Sequence, residues 1–397
     1  MSTGSTKATA SGLAAGATRL YYIDWLRVLA MFSIFFFHNA RFFDSYGWHV
    51  KSVETGIAVD IFIDFCVLWI MPIFFFLAGA SIYYAMKFRT AGGFAKERTL
   101  RILIPIVIIG WFIISPPQVY LERLTQGGFS GNFFQFYFPH YFDGIYGIGG
   151  NFAFVPMHMW FLWLLFIFSL ILLPLFLPSR RTGRSLGSKL ATLFEKPWTL
   201  IVPVLLLAFS EVLLGALGDI MSWGGGWNHL SYLIFFISGY LVYSNARIQE
   251  NIKKYAVIAL ITALVLQAVY YILQFAIKPN VPDSQAAYIG IQTFETMRSW
   301  LFIIAILGFG SRYLNINNRF LGYANEAVLP FYILHQTIIL IIGFFVLQWS
   351  IGITPKYFII ASTSFVAIMA VYELLVRRIN ILRFLFGMRP KKKPTAM

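Results

Sequence analysis

Cysteine is almost missing from these 397 residues: one, Cys66, stands inside an apolar run, so no intramolecular disulfide framework exists. Charge is nearly as scarce, with Asp, Glu, Lys and Arg making up 12% of the chain, well below an ordinary soluble domain. There is no Gly-x-Ser-x-Gly elbow, no His-Glu-x-x-His pair and no Gly-rich phosphate loop. Those absences exclude the common serine-hydrolase, zinc-peptidase and nucleotide-triphosphatase chemistries, and no metal-ligand spacing replaces them. Cys66 has no base nearby in sequence to make it a nucleophile. Internal repeats and a separate soluble domain are lacking too. Residues 1–20, rich in Ser, Thr, Ala and Gly, lack the apolar core of a secretory leader and read as a disordered cytoplasmic tail.

Apolar and aromatic residues take up the space. The chain is 59% hydrophobic, with 42 Phe, 21 Tyr and 11 Trp, and its mean hydropathy is +0.72. Runs long enough to cross a bilayer core of about 30 Å fall near 21–43, 57–86, 101–121, 158–178, 199–217, 229–247, 255–277, 292–314, 326–349 and 356–376. The expected fold is all-α, a polytopic membrane bundle of about ten transmembrane helices over residues 21–380, with a basic cytoplasmic tail at 381–397. A net charge of +15 does not point to nucleic acid, because the cations sit in short clusters between apolar runs. Lys87, Arg89, Lys96 and Arg98 follow the second run. Arg180, Arg181, Arg184, Lys189 and Lys196 follow the fourth, and Lys253 and Lys254 the sixth. Arg377, Arg378, Arg383, Arg389 and Lys391 to Lys393 close the chain. The alternating connections are near neutral or acidic, which places both termini in the cytoplasm by the positive-inside rule. The setting expected is a bacterial inner membrane, with lipid as constant partner. The Gly-rich 122–157 connection, the longest on the outer side, is a candidate lid or acceptor-binding loop.

Ionisable groups at membrane depth cost roughly 2.5–3.5 kcal/mol on insertion scales, so each needs a partner or a purpose. The first run carries two, Arg27 and His38. At about 100° per residue they share one helical face, about 16 Å apart along the axis. His38 is the leading candidate for a catalytic base. Asp60 and Asp64, one turn apart at the start of the second run, could fix its tautomer or could simply tie two helices together. Arg27 either pairs with Asp24 or meets an anionic donor. Arg98 and Arg101 could grip phosphates from one side of a helix, with Gly92 and Gly93 permitting close backbone approach. Arginines at this boundary also occur for topology alone. His158, Trp160, Glu211 and His335 could line the substrate path, although each histidine could equally be a helix-packing residue. Glu295 and Arg298 could line an acceptor cleft, and Glu326 and Glu373 could pair with nearby basic residues. The same buried polar groups would also serve a proton-coupled transporter or flippase.

Several segments together resemble the acyltransferase-3 family of integral membrane acyltransferases. Asp24-Trp-Leu-Arg27 followed after ten residues by His38 is similar to its Arg-x10-His signature. Phe74-Phe-Phe-Leu-Ala-Gly79, Arg98-Thr-Leu-Arg101-Ile-Leu-Ile-Pro105, His158-Met-Trp-Phe-Leu162 and Tyr332-Ile-Leu-His335 resemble later signatures. The resemblance implies transfer of an acyl group from cytoplasmic acyl-CoA, acetyl-CoA or succinyl-CoA, to a hydroxyl of an extracytoplasmic glycan or lipid-linked sugar, without a permanently bound cofactor. It implies His38 as base, Arg27 as helper, and Arg98 and Arg101 as contacts to the CoA phosphates. Many members follow the fourth-run Trp with a Ser-Leu segment and a glutamate. Here Phe161-Leu-Trp-Leu-Leu-Phe166 stands there instead, which leaves that acid's role vacant or passes it to Glu211. His-Met-Trp-Phe-Leu is closer to the glucan succinyltransferase branch.

Overall fold

The computed structural model describes residues 19–178, 183–215, 217, 222–277 and 284–391. Of the expected N-terminal tail only Arg19 and Leu20 fall within it, and Arg180, Arg181, Lys392 and Lys393 lie outside the described residues. The apolar runs become α1 (Tyr21–Ala40), α2 (Ile57–Met86), α3 (Ala91–Thr125), α4 (Met157–Ile171) and α5 (Pro197–Leu214). They continue as α6 (His229–Ser244), α7 (Ala246–Gln274), α8 (Gln285–Tyr313), α9 (Arg319–Val346) and α10 (Ile353–Val376). Six of these, α2, α3, α5, α7, α9 and α10, are long and apolar enough to cross a membrane, while α4 and α6 are apolar but shorter. Among the described residues no strand forms, only isolated β-bridges. The protein is a multi-pass helical membrane bundle.

Short polar side chains start the helices where the apolar runs begin. Thr90, Asn228, Asn245, Ser284 and Asn318 each accept a backbone N–H from the first turn of α3, α6, α7, α8 and α9, at 2.8 to 3.2 Å. Such caps satisfy donors that a helix leaves orphaned. Within α3 the hydrogen bonding widens to π-type turns at Thr99–Leu103 and Pro105–Ile114. This widening, often found at functional sites, begins beside Arg98 and Arg101.

The helix ends sort into two faces. On one, Tyr21 N–H reaches Asn315 at 2.9 Å, Arg101 Nε donates to the Gly387 carbonyl at 2.8 Å and Arg247 pairs with Glu195 at 2.6 Å. The described members of the Lys and Arg clusters gather on this basic face. On the opposite face Ser45 N–H reaches Asp60 at 2.7 Å and Tyr271 O–H donates to the Ile61 carbonyl at 2.9 Å. Residues 381–391, expected as part of a tail, instead fold back on the basic face. A short helix, Asn380–Leu385, lets Arg383 donate to Glu326 at 2.8 Å, and Lys391 N–H closes onto Asn380 at 2.9 Å. The partly buried Arg383–Glu326 pair and carbonyl acceptors hold this segment down, and a charge count along the chain does not display them.

Helices α2 and α6 cross in close backbone contact. A Cβ on Gly79 would lie 1.9 Å from the Phe236 carbonyl oxygen, and one on Gly239 would lie 1.9 Å from the Phe76 carbonyl oxygen. Two backbones therefore touch reciprocally, the small-residue packing expected where lipid gives helices no hydrophobic reason to associate. Gly79→Val and Gly239→Val should each cost at least about 1–3 kcal/mol of overpacking and lower the melting temperature and yield of detergent-solubilised protein. Gly92→Ala, which meets nothing within 4 Å, should leave both unchanged.

Candidate active site

A cavity of about 430 Å³ opens on the basic face between α1, α2, α3, α4 and α9. Arg27, Arg89, Arg98 and Arg101 line it, with Glu97 as the one carboxylate. Glu97 holds Arg89 in an ion pair and lies 3.4 Å from Arg101. Arg98 stacks its guanidinium 4.8 Å over Phe94, and its Nε is buried without a partner. The deeper walls are apolar, from Met31, Phe74, Ala78, Phe161, Leu162, Leu165, Val328 and Leu329, and Tyr332 is also in the lining.

Arg27 pairs with Asp24 and also faces the cavity. Its Nη1 donates to Asp24 at 3.0 Å, its Nη2 donates to the Ser81 hydroxyl, and the side chain still faces the cavity. Asp24 is itself held by Arg19 at 2.6 Å. Gly92 and Gly93 do not line this cavity. They form the capped first turn of α3, where Gly93 N–H is already taken by Thr90 at 3.2 Å.

Tyr332 links the cavity to a cluster of three histidines. The Tyr332 carbonyl accepts Nδ1–H of His335 at 2.6 Å and Nε2–H of His158 at 3.0 Å, while its hydroxyl donates to the His158 carbonyl. The ring centres of His158 and His335 are 4.9 Å apart, and those of His335 and His38 are 5.1 Å apart. Both His158 nitrogens are occupied, because Gln118 Nε2 approaches its Nδ1 at 3.2 Å. Gln118 also donates to Thr337 at 2.8 Å and accepts from Gln336 at 2.8 Å. Polar side chains of α3, α4 and α9 thus satisfy one another where water is excluded. Nδ1 of His38 and Nε2 of His335 are buried and without partners.

The carboxylate support expected for His38 is not there. Asp60 accepts from Ser45 N–H at 2.7 Å and Asp64 from the Tyr46 hydroxyl at 2.9 Å, so both anchor the α1–α2 connection instead. Burial first, and then its bond to Asp64, hold the Tyr46 phenol above its ordinary pKa, so it stays a donor. That connection folds between the aspartates and the histidine, and lays Trp48 on the His38 ring, centres 5.9 Å apart and planes 15° apart. Fully buried Asp44 braces it through Arg41 at 2.8 Å and Lys51 at 3.0 Å, and His49 pairs with Glu122.

The cover over His38 is therefore residues 41–56. The 122–157 connection carries its own small core of Val119, Phe136, Tyr141, Ala153 and Met157, closed by Arg123 on Asn151 at 2.8 Å. It reaches the site through its first residues, Gln126 Nε2 donating to the Trp48 carbonyl at 3.2 Å.

Trp160 and Glu211 lie off the cavity lining. Trp160 packs on Tyr232, centres 5.3 Å apart, while its neighbours Phe161 and Leu162 face the cavity. Glu211 accepts from Ser231 Oγ at 2.6 Å and from Asn228 N–H at 3.2 Å, which secures the start of α6. Glu295 and Arg298 form a separate knot in which Arg298 donates to Gln267 at 3.0 Å and covers Tyr270 at 3.8 Å. Trp48 and Gln118 were not singled out from the sequence, and Tyr332 only as part of the motif that ends in His335. A glutamine behind two prolines inside an apolar run, and a tryptophan just past the histidine helix, were the available signals.

A buried imidazole cluster lies behind Tyr332, which lines a cavity with arginines at its mouth; His38, His158 and His335 are not themselves among the lining residues. Comparison with known proteins identifies the class: the chain belongs to the acyltransferase-3 family, whose acyltransferase-domain model matches residues 20–373. It is a membrane acyltransferase. Among its relatives is glucans biosynthesis protein C of Escherichia coli K12, 23% identical over 396 residues, covering 95% of this chain and 96% of the relative. The counterpart in Escherichia coli strain 536 is 23% identical over 397 residues with the same coverage. No solved structure matches this chain.

Replacing Gln118 by Leu would strand His158 Nδ1, Thr337 and Gln336 in a dry interior. An unsatisfied buried group costs about 1–3 kcal/mol, so Gln118→Leu should lower the thermal unfolding midpoint in detergent, and Gln118→Glu should lower it less.

Proposed function

We propose that this protein transfers an acetyl or succinyl group from acyl-CoA, entering from the cytoplasm, to a hydroxyl of an extracytoplasmic glycan or lipid-linked sugar. The setting is the inner membrane of a bacterium, with the basic face and both chain ends in the cytoplasm, as the positive-inside rule requires. One observation carries the reading: the cavity joins an arginine mouth to apolar walls and to Tyr332, whose carbonyl anchors the imidazoles beside His38. That sequence of surfaces matches a thioester donor whose phosphates are anionic and whose pantetheine arm is slender and largely apolar.

Arg89, Arg98 and Arg101 receive the phosphates, Arg98 and Arg101 through forked guanidinium contacts. Arg27, steadied by Asp24 and Ser81, favours negative charge further in. His38 takes the proton of the acceptor hydroxyl as its oxygen attacks the thioester carbonyl. The carbon–sulfur bond then breaks, and the proton passes to the departing thiolate. Trp48, stacked on the imidazole, limits water at the reacting carbon. The name of the relatives supports a glucan-like acceptor.

Purified protein in liposomes, supplied with labelled acetyl-CoA or succinyl-CoA and a glycan acceptor, tests this. His38→Ala should lower kcat by about 10²–10⁴-fold while the protein stays folded. Arg98→Gln and Arg101→Gln should each raise the donor KM by roughly 10-fold or more, as loss of a charged hydrogen bond costs about 1.5–3 kcal/mol. Ala78→Phe, which narrows the cavity without touching an arginine, should raise it too. A histidine base works only when neutral, so the rate should fall on acidification and level off in alkali. Solute flux without acyl transfer, or a flat profile from about pH 5 to 9 with chemistry rate-limiting, would overturn the assignment.

A further inference from the structure

A histidine base needs something on its second nitrogen to hold its tautomer and orientation, and a carboxylate usually does this. Here Asp60 and Asp64 are taken up by the α1–α2 connection, and no acidic side chain bonds His38 among the described residues. We propose that His335 fills that place, its Nε2 accepting the Nδ1–H of His38, so that an imidazole pair, His38 and His335, forms the base unit.

The partner follows by elimination. His158 has both nitrogens occupied, by the Tyr332 carbonyl and by Gln118. His335 has its Nδ1 proton committed to the Tyr332 carbonyl at 2.6 Å, which leaves a lone pair on Nε2. That Nε2 and the Nδ1 of His38 are both buried and both without partners. The ring centres are 5.1 Å apart. An in-plane N–H···N bond of about 3 Å, plus roughly 1.1 Å from each nitrogen to its ring centre, separates two imidazole centres by about 5.2 Å. The spacing suits a bonded pair, although the bond is not made here. Rotation about the soft χ2 of His38 would close it while His335 keeps its bond to the Tyr332 carbonyl, and catalytic hydrogen bonds commonly tighten only with substrate in place. The other His38 nitrogen, Nε2, is not among the buried orphan atoms, and the side chain is partly exposed.

The resulting chain runs from acceptor hydroxyl to His38 Nε2, from His38 Nδ1–H to His335 Nε2, and from His335 Nδ1–H to the Tyr332 carbonyl. On attack the hydroxyl proton moves to His38 Nε2, and the Nδ1 proton stays on His38, shared with His335. When the carbon–sulfur bond breaks, the Nε2 proton leaves with the thiolate and the pair is restored. His335 is thus a positioning residue that acts through His38. It also spreads the charge of the transient imidazolium without placing a permanent anion in an apolar interior, where an ionised carboxylate is costly.

The inference rests on the acyl-transfer reading, but one arm of its test does not. Solid-state NMR of ¹⁵N-histidine-labelled protein in bilayers, with His38→Ala assigning the resonance, reads which His38 nitrogen carries the proton. The wild type should carry it on Nδ1. In the liposome assay His335→Leu should lower kcat by about 10²–10³-fold. His335→Gln, whose amide can accept from His38 and donate to Tyr332, should stay within about 10-fold of wild type, since both bonds survive. Finding the His38 proton on Nε2, a folded Leu variant with unchanged kcat, or a Gln variant as slow as the Leu variant would each overturn the pairing. If the Leu variant does not fold, the wild-type spectrum and the Gln variant decide. Absence of acyl transfer by wild-type protein from either thioester would overturn the acyl-transfer reading itself, while the spectrum would still report on the pair.

Discussion

The backbone carbonyl of Tyr332 accepts hydrogens from two imidazoles, and the arrangement of the site follows from that acceptor. It fixes the proton of His335 on Nδ1 and that of His158 on Nε2. It ties α4 to α9, and Gln118 extends the tie to α3. At membrane depth no water can replace these bonds, so each group depends on the others being present. Because Tyr332 also lines the cavity, the same residue joins the cavity to the imidazole cluster.

Electrostatics divides the cavity into two regimes. Arg89, Arg98 and Arg101 crowd a mouth with one glutamate among them, Glu97 orders Arg89 and Arg101 without neutralising the set, and Arg27, paired with Asp24, lines the same cavity. Further in, the walls are aliphatic and aromatic, so charge is welcome at the entrance and penalised beyond it. A donor with an anionic head and a neutral reactive arm suits both halves. The folded-back segment after α10 contributes to the entrance, since Gly387 holds Arg101 and Arg389 lies 3.8 Å from Glu97.

The apolar helices were legible in the chain, because long apolar runs bounded by charge clusters have few other solutions in lipid, whereas the Asn, Ser and Thr side chains that cap them were not read from it. The pairing of Arg27 with Asp24 was legible as one of two alternatives, since a lone guanidinium within an apolar run must find polar company. The histidine cluster was not. His158 and His335 sit on helices far apart in sequence, and helical period gives a residue's face but not the neighbour across from it. Asp60 and Asp64 were placed on the expected helix, yet the α1–α2 connection folds onto them, and no periodicity reports where an irregular segment lies. Gly79 was visible in a motif, whereas its contact with the Phe236 carbonyl required the second helix. Residues 381–391 read as tail because composition records their charge and not the carbonyls and carboxylates they reach.

The reciprocal glycine crossing has a mechanical consequence. With Gly79 against Phe236 and Gly239 against Phe76, α2 and α6 can neither slide nor part without losing backbone contact. Phe74, Ala78 and Ser81 on α2 line the cavity, so that wall acts as a stator with a set position. Any widening of the cavity must therefore come from its other walls, which include the π-wound segment of α3 and the proline-bearing α9. Admission and chemistry would then share a moving part, because α9 carries His335.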